Sequence, residues 1–567
     1  MNFGRGERKV EQSDFRTMSI YQIWVRSFCD GNGDGIGDLY GVYDKLDYIR
    51  SLGVDAIWFS PIYPSPNADF GYDVSDYCGI HPDYGTMEQF RKVLERAHAL
   101  GMKVILDLVI NHTSDQHPWF LESRKGKDNP YSDYYIWRDP IRKRRGGHRL
   151  PNNWSSQFAG PAWAYGEERD QYYLHLFSRH QPDLNMDNPR VREEIRSIMR
   201  FWLDMGVDGF REDVITYISK HEKLPNGLPW LPVVNGMPYY KDGPNILRYL
   251  GEFRAVARAY GAVQIGEAPM TSVKSALRYV SGEDRVLDMI IQFDPMMADC
   301  FMTEYLHHAF SLRKLKRAFS RWQYGLAGKA WNALYLENHD HPRVVSRYGS
   351  QRFWRESATA LCASYLFQQG CPFVYQGQEI GMTNIRLPSI EQYLDVASHN
   401  LYHMFHKNEP QEKRMRRIHV SSRDSARTPV QWSDAPNAGF STAEPWFYVN
   451  PNYREINVAA QEKDPDSILN FYRRALALRR GSDTLLYGDY REYCPRSRKF
   501  YLYERTWQGE RVLVAVSFRP HGTAYPLPEA WRAADRELLL GNYPDAAAGT
   551  LRPYEAQVWR CAPSAAP

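Results

Sequence analysis

Polar residues able to do acid–base chemistry recur just after short apolar runs, where a purely structural sequence would carry more Val or Leu. The run at 103–112 ends in Asp107, Asn111 and His112, and that at 207–215 carries Arg211 and Asp213. The run at 262–269 holds Glu267, and that at 332–340 ends in His339 and Asp340. A single acid in such a place can simply cap the next helix. Three carboxylates, two histidines and an arginine converging on one mouth cost free energy unless something uses them. Paired carboxylates serve glycoside hydrolysis: an ionised one attacks the anomeric carbon and a protonated one donates to the leaving oxygen, ~5 Å apart in a retaining enzyme. Arg211, two residues before Asp213 on one face of an extended chain, can hold Asp213 ionised. Glu267 needs an apolar surround and a neighbouring carboxylate to keep its proton.

These residues reach one mouth if their runs are neighbouring strands of a cylinder. Eight β-branched and aromatic runs (19–28, 54–63, 103–112, 207–215, 262–269, 285–294, 332–340 and 371–379) alternate with amphipathic stretches such as 86–102 and 188–206. In those stretches apolar residues recur every three or four positions. The alternation predicts parallel βα units closed into an α/β (β/α)8 barrel, whose functional residues sit at the carboxyl ends of its strands. The barrel is assigned residues 18–113 and 185–489. Residues 114–184, rich in Trp, Tyr, Asn and Pro without a helical period, read as a small domain inserted after the third strand. The alternating runs KFYLYERTW, RVLVAVSF, ELLLGNY and AQVWRC make 490–567 a C-terminal antiparallel β-domain of sandwich type. Residues 1–17 are polar and expected to be loosely held.

Composition narrows the partners. Across 567 residues, 71 Lys and Arg stand against 67 Asp and Glu, a net +4, which argues against a nucleic-acid binder. No apolar run approaches the ~20 residues that span a bilayer, so no membrane partner is expected. The N-terminal stretch MNFGRGERKVEQSDF lacks the apolar core of a signal peptide, and the seven cysteines form no CxxC pair. Both point to a reducing, cytoplasmic setting. Aromatic residues make up 14% of the chain, a supply of amphipathic rings suited to a core or to sugar-binding pockets. The basic cluster IRKRRGGHRL at 141–150 reads first as a solvated loop.

Four segments, DLVINH, GFREDV, IGEA and ENHD, resemble in order the signature regions of the α-amylase clan of glycoside hydrolases. QPDLN at 181–185, GYDVSDY at 71–77 and RDSARTPVQW at 423–432 are similar to the oligo-1,6-glucosidase subgroup, so the resemblance runs from about residue 19 to the C-terminus. It implies Asp213 as nucleophile, Glu267 as general acid/base and Asp340 as the carboxylate that binds hydroxyls beside the reacting carbon. His112 and His339 are implied to hydrogen-bond the innermost sugar, and Arg211 to stand beside the nucleophile. Asp73 and Arg427 are implied to grip the far hydroxyls of the terminal glucose, making the enzyme exo-acting. Valine after the nucleophile, here Val214, goes among similar enzymes with α-1,6 bonds. Three departures stand out: His341 replaces a glutamine, Glu212 an apolar residue, and Ala268-Pro269 follow the acid/base where relatives differ.

The segment DGNGDGIGDL (30–39) alternates Asp30, Asn32, Asp34 and Asp38 with glycines, a tight loop suited to wrapping oxygen ligands around Ca²⁺. The resemblance adds the Ile36 carbonyl and makes the ion structural; no organic cofactor is implied. The expected activity is exo-acting retaining hydrolysis of short α-glucosides with an α-1,6 preference, by a monomer or weak oligomer. A sucrose isomerase or transglucosidase shares the covalent intermediate and is the alternative. A trehalose-6-phosphate hydrolase would need basic residues near the leaving group, for which 141–150 is a candidate. A non-catalytic relative such as a transporter heavy chain is disfavoured, because all three carboxylates are kept and no membrane helix is present.

Overall fold

The computed structural model describes residues 15–142, 147–231, 234–301, 303–404 and 409–561. Most of the N-terminal stretch and the centre of the 141–150 cluster lie outside these. Eight parallel strands follow one another: β1 (Ile20–Ile23), β2 (Ala56–Phe59), β3 (Lys103–Leu108), β4 (Gly209–Glu212), β5 (Val263–Glu267), β6 (Met289–Ile291), β7 (Ala333–Leu334) and β8 (Cys371–Tyr375). Their order around the sheet is β6-β5-β4-β3-β2-β1-β8-β7, and β6 meets β7 where the cylinder closes. Each lies within one of the eight predicted runs, and nearly all their residues are buried, as strands covered on both faces must be.

The predicted helices are present with their stop signals. Helix α1 (Met87–Ala99) begins at a Thr86–Gln89 capping box and buries Phe90, Val93, Leu94 and Ala97 on one stripe. Helix α2 (Pro189–Met205) starts with Asn188 as cap and proline in its first turn, and ends at Gly206 in the left-handed region. Helix α3 (Ile246–Tyr260) covers the outer side of the β4–β5 pair.

The segment after β3 forms a small antiparallel sheet of 137–138, 171–174 and 163–166, with Phe120 packed among Tyr135, Trp137 and Tyr173. It is not self-sufficient. The loop after β4 closes on it: Asn152 and Trp154 donate to the carbonyls of Leu224 and Pro225, and Val214, Tyr217 and Tyr240 share a core with Trp154 and Trp163. The turn that carries Asp213 is thereby packed against the inserted segment. A long segment after β8, with helices 396–404 and 411–421, also lines the mouth and meets the inserted segment, where Asn400 Nδ2 donates to the Phe158 carbonyl. The C-terminal sheet is antiparallel, in the order 489–493, 500–507, 510–517, 556–561, 536–541, and contains all four predicted runs.

Candidate active site

Register explains how the site forms. Asp107 on β3 pairs with Arg211 on β4, which pairs with Ile265 on β5, so these side chains, and Glu267 two residues on, point into the cylinder. One guanidinium then serves three acids. Arg211 Nη1 donates to Asp107 Oδ1 at 2.8 Å and Asp213 Oδ1 at 2.7 Å, and Nη2 lies 2.8 Å from Glu267 Oε1. Trp58 Nε1 and the Tyr72 hydroxyl also donate to Asp107.

Val214 has φ 37° and ψ 47°, a left-handed conformation that a β-branched residue adopts at a cost of ~1–3 kcal/mol. The twist turns its N–H onto Glu267 Oε2 at 3.2 Å, and its side chain lines the pocket. The valine thus lies just past the strand, in a strained turn that fixes the two carboxyls relative to each other. Burial pushes the Asp213 and Glu267 carboxyls up, with Arg211 opposing in both cases and Glu267 adding its repulsion on Asp213. Three acids around one cation therefore retain a proton more readily than free carboxylates do.

Asp340 is different. Burial alone would raise it, but His339 and the Arg423 and Arg427 guanidiniums hold it well below the usual carboxylate range. Arg423 Nη1 and Arg427 Nη2 donate to Asp340 Oδ1 at 3.1 and 3.2 Å, and His339 Nε2 lies 3.1 Å from Oδ2. His339 is stacked on Tyr72 and contacts Gln22 Nε2 through Nδ1. Burial pushes His339 and His112 down to about 4, so both imidazoles are neutral at ordinary pH. His112 lines the pocket, whereas His339 lies behind Asp340 and orients it. Arg427 stacks over Trp24 and donates through Nε to the His339 carbonyl, while its buried Nη1 has no protein acceptor.

Asp73 requires a correction. Its carboxylate is fully buried in its own loop, accepting from the N–H groups of Ala68 and Asp69 and from the Ser65 hydroxyl. Asp69, four residues earlier, faces the pocket instead, with Arg423 Nη2 at 3.1 Å and Gln181 Nε2 at 3.2 Å. Arg423 also binds Asp395, so Asp69, Asp340 and Asp395 form one ion cluster at that end of the pocket. Asp69, Arg423 and Asp395 went unrecognised in the sequence; the signal available was an Asp and an Arg, each four residues before a motif residue.

Glu212 points outward, as strand alternation requires. Its Oε1 accepts from Gln264 Nε2 at 2.6 Å on β5, beneath Arg254 of α3, which forms a two-pronged pair with Asp288. Burial pushes Glu212 up to about 7, against 4.5 for a free glutamate. The folded state thus favours the protonated form, and stability falls as pH rises from 4.5 to 7 and then levels off. Glu212→Gln should remove this slope. Relative to wild type, the variant gains up to ~3 kcal/mol between pH 4.5 and pH 8, read by urea unfolding at both values. A constant difference would mean Glu212 is already ionised in the folded state.

The glycine loop has hard-cation chemistry. Its side-chain donors Asp30, Asn32, Asp34 and Asp38 are all oxygen ligands, and Asp30 Oδ1 and Asp38 Oδ2 both converge on the Asn32 N–H, at 3.1 and 3.0 Å. Two carboxylates so close suit a cation between them. Among the described residues, the tightest cluster of metal-type side chains lies elsewhere, at Asp299, Cys300 and His307. There Arg347 already binds Asp299 at 2.6 and 3.1 Å and supplies the positive charge.

Residues 22–488 match the catalytic-domain model of α-amylase. The oligo-1,6-glucosidase of Parageobacillus thermoglucosidasius is 45% identical over 97% of this chain and 99% of its own. The crystal structure of Bacillus licheniformis trehalose-6-phosphate hydrolase superposes with a TM-score of 0.90 at 40% identity, covering 96% of this chain and 99% of that one. Isomaltulose synthase from Klebsiella sp. LX3 superposes with 0.92 at 39% identity and the same coverage. A barrel with acids at its strand ends, a match over most of the chain and full-length relatives agree: this chain belongs to the α-amylase family of glycoside hydrolases.

Proposed function

We propose that the protein is an exo-acting retaining α-glucosidase that releases glucose from short, uncharged α-1,6-linked glucosides. The observation that carries this is the Arg211 fork, which holds Asp213 and Glu267 on the two nitrogens of one guanidinium. The two carboxyls also lie within hydrogen-bonding reach of each other, closer than the ~6.5–9.5 Å gap that an inverting enzyme leaves for water. With the proton retained by the pair on Glu267, ionised Asp213 attacks the anomeric carbon as Glu267 protonates the departing oxygen, forming a covalent glucosyl ester. Glu267 then takes a proton from water, whose oxygen displaces Asp213 and frees glucose with its configuration retained. Asp340, ionised, binds hydroxyls of that glucose together with Arg423, while Arg427, buried off the pocket and not at its wall as the resemblance implied, holds the Asp340 carboxylate from behind. The Asp69–Arg423–Asp395 cluster walls off the pocket beyond it, which supports exo action.

The charge of the pocket supports an uncharged substrate. Among the described lining residues, five carboxylates (Asp69, Asp213, Glu267, Asp340, Asp395) face two guanidiniums (Arg347, Arg423), both already paired. A sugar phosphate would meet net negative charge there. The test is side-by-side incubation with isomaltose, maltose, sucrose and trehalose-6-phosphate. Fastest glucose release from isomaltose is expected. Isomaltulose from sucrose without free glucose, or faster release of glucose from trehalose-6-phosphate than from isomaltose, would replace this reading with an isomerase or a phosphotrehalase.

The same proposal includes Ca²⁺ held by Asp30, Asn32, Asp34, the Ile36 carbonyl and Asp38. Asp38 also caps the helix 39–44, and Asp30 accepts from the Ser441 hydroxyl, so the ion would tie the strand-one loop to the 441 segment. EGTA should lower the thermal inactivation midpoint by a few degrees, restored by Ca²⁺, with initial rates at 25 °C unchanged. An unaltered midpoint removes the ion from the proposal.

A further inference from the structure

The groups around the terminal glucose and the proton donor occupy different sides of the pocket. Asp69, Tyr72 and His112 come from the loops after β2 and β3 and Arg423 from the segment after β8, whereas Glu267 ends β5. A general acid must reach the oxygen that bridges to the departing group. That group therefore lies against the loops after β5, β6 and β7, which present Met270, Phe293 and His341 to the pocket. Arg347 and His307 also reach this wall, where Arg347 Nε and Nη2 and His307 Nδ1 are directed at Asp299.

His341 follows Asp340 directly, and its ring stands edge-on to Phe293 with centroids 5.2 Å apart at 77°. Its side chain is almost fully buried, so the ring is held in one orientation. Burial, reinforced by Arg347, pushes its imidazole down to about 3, leaving one N–H donor and one lone-pair acceptor without charge.

We infer that His341 is a specificity-determining residue of the leaving-group side, hydrogen-bonding a hydroxyl of the departing sugar from a ring that Phe293 holds in place. This rests on the glucosidase reading above. A ring with one donor and one acceptor discriminates for a hydroxyl-bearing leaving group and gives nothing to one without hydroxyls.

The test compares isomaltose, whose leaving glucose carries hydroxyls, with 4-nitrophenyl α-glucoside, whose leaving phenol offers none to this wall. His341→Met fills the volume without the imidazole's hydrogen bonds, and His341→Gln retains a donor and an acceptor. In the Met variant the ratio of kcat/KM for isomaltose to that for the aryl glucoside should fall about tenfold, the scale of one neutral hydrogen bond. In the Gln variant it should stay within about threefold of wild type. His341→Ala repeats the measurement if the Met variant does not fold. An unchanged ratio, or equal loss on both substrates, overturns the inference. Wild-type protein inactive on both would instead overturn the glucosidase reading itself.

Discussion

Asp213→Asn is expected to lose at least ~10⁴-fold in kcat on isomaltose, the scale at which losing a nucleophile is measured in enzymes with covalent intermediates. Folding should survive. Asparagine keeps the side-chain shape, still accepts from Arg211 Nη1, and removes one of three negative charges that burial and mutual repulsion already disfavour. Urea unfolding at pH 7 should therefore show stability equal to wild type or higher. Inactivity alone does not separate a nucleophile from an electrostatic bystander, so a second variant is needed. Asp213→Gly opens a space beside the anomeric carbon that a small anion can fill. With 4-nitrophenyl α-glucoside and azide it should yield β-glucosyl azide: the azide nitrogen bonds to the anomeric carbon as 4-nitrophenolate departs with the bonding pair. Residual hydrolysis above ~1% in the Asn variant, or α-configured product in the Gly variant, would remove Asp213 from the nucleophile role.

The barrel was legible because its signals are local. A strand buried on both faces is a short apolar run, and a helix stripe repeats every three to four residues, so each element announces itself. The acids of the candidate site were legible for the same reason: Asp213 and Glu267 interrupt or end runs that otherwise favour burial. What the sequence concealed depends on contacts between distant segments. Asp73 and Asp69 are both loop aspartates, and only the folded turn, with Phe70 at φ 45°, decides which carboxylate is spent on backbone N–H groups and which faces the pocket. Arg423 reads as one more basic residue until Asp69, Asp340 and Asp395 are seen around it. Val214 reads as a strand residue, since no periodicity reports a backbone twisted into the left-handed region just past a strand end. Glu212 was the exception: alternation alone required an outward partner, and Gln264 is that partner.

The largest stability effect should come from Arg211→Met. Methionine can keep much of the packing against Trp58 and Tyr72, over which the guanidinium lies at 5.2 and 5.8 Å, but it leaves Asp107, Asp213 and Glu267 without their shared cation. Breaking a buried ion cluster by removing one sign of charge costs ~3–5 kcal/mol. The pH dependence identifies the cause. Burial already pushes Asp107 up to about 6 with Arg211 in place, and without it all three carboxyls rise further above the ~4 of the unfolded chain. A raised carboxyl pKa makes stability fall as pH rises through that window. The deficit relative to wild type should therefore be small near pH 5 and full at pH 8, as read by urea unfolding. Equal deficits at both would mean lost packing, not lost charge compensation. A double-mutant cycle sharpens the point. Asp107→Asn alone should destabilise, because it weakens the interaction with Arg211, whereas in the Arg211→Met background it should stabilise, because it removes an unpaired buried charge. A substitution that changes sign with its neighbour is what three acids held by one cation require.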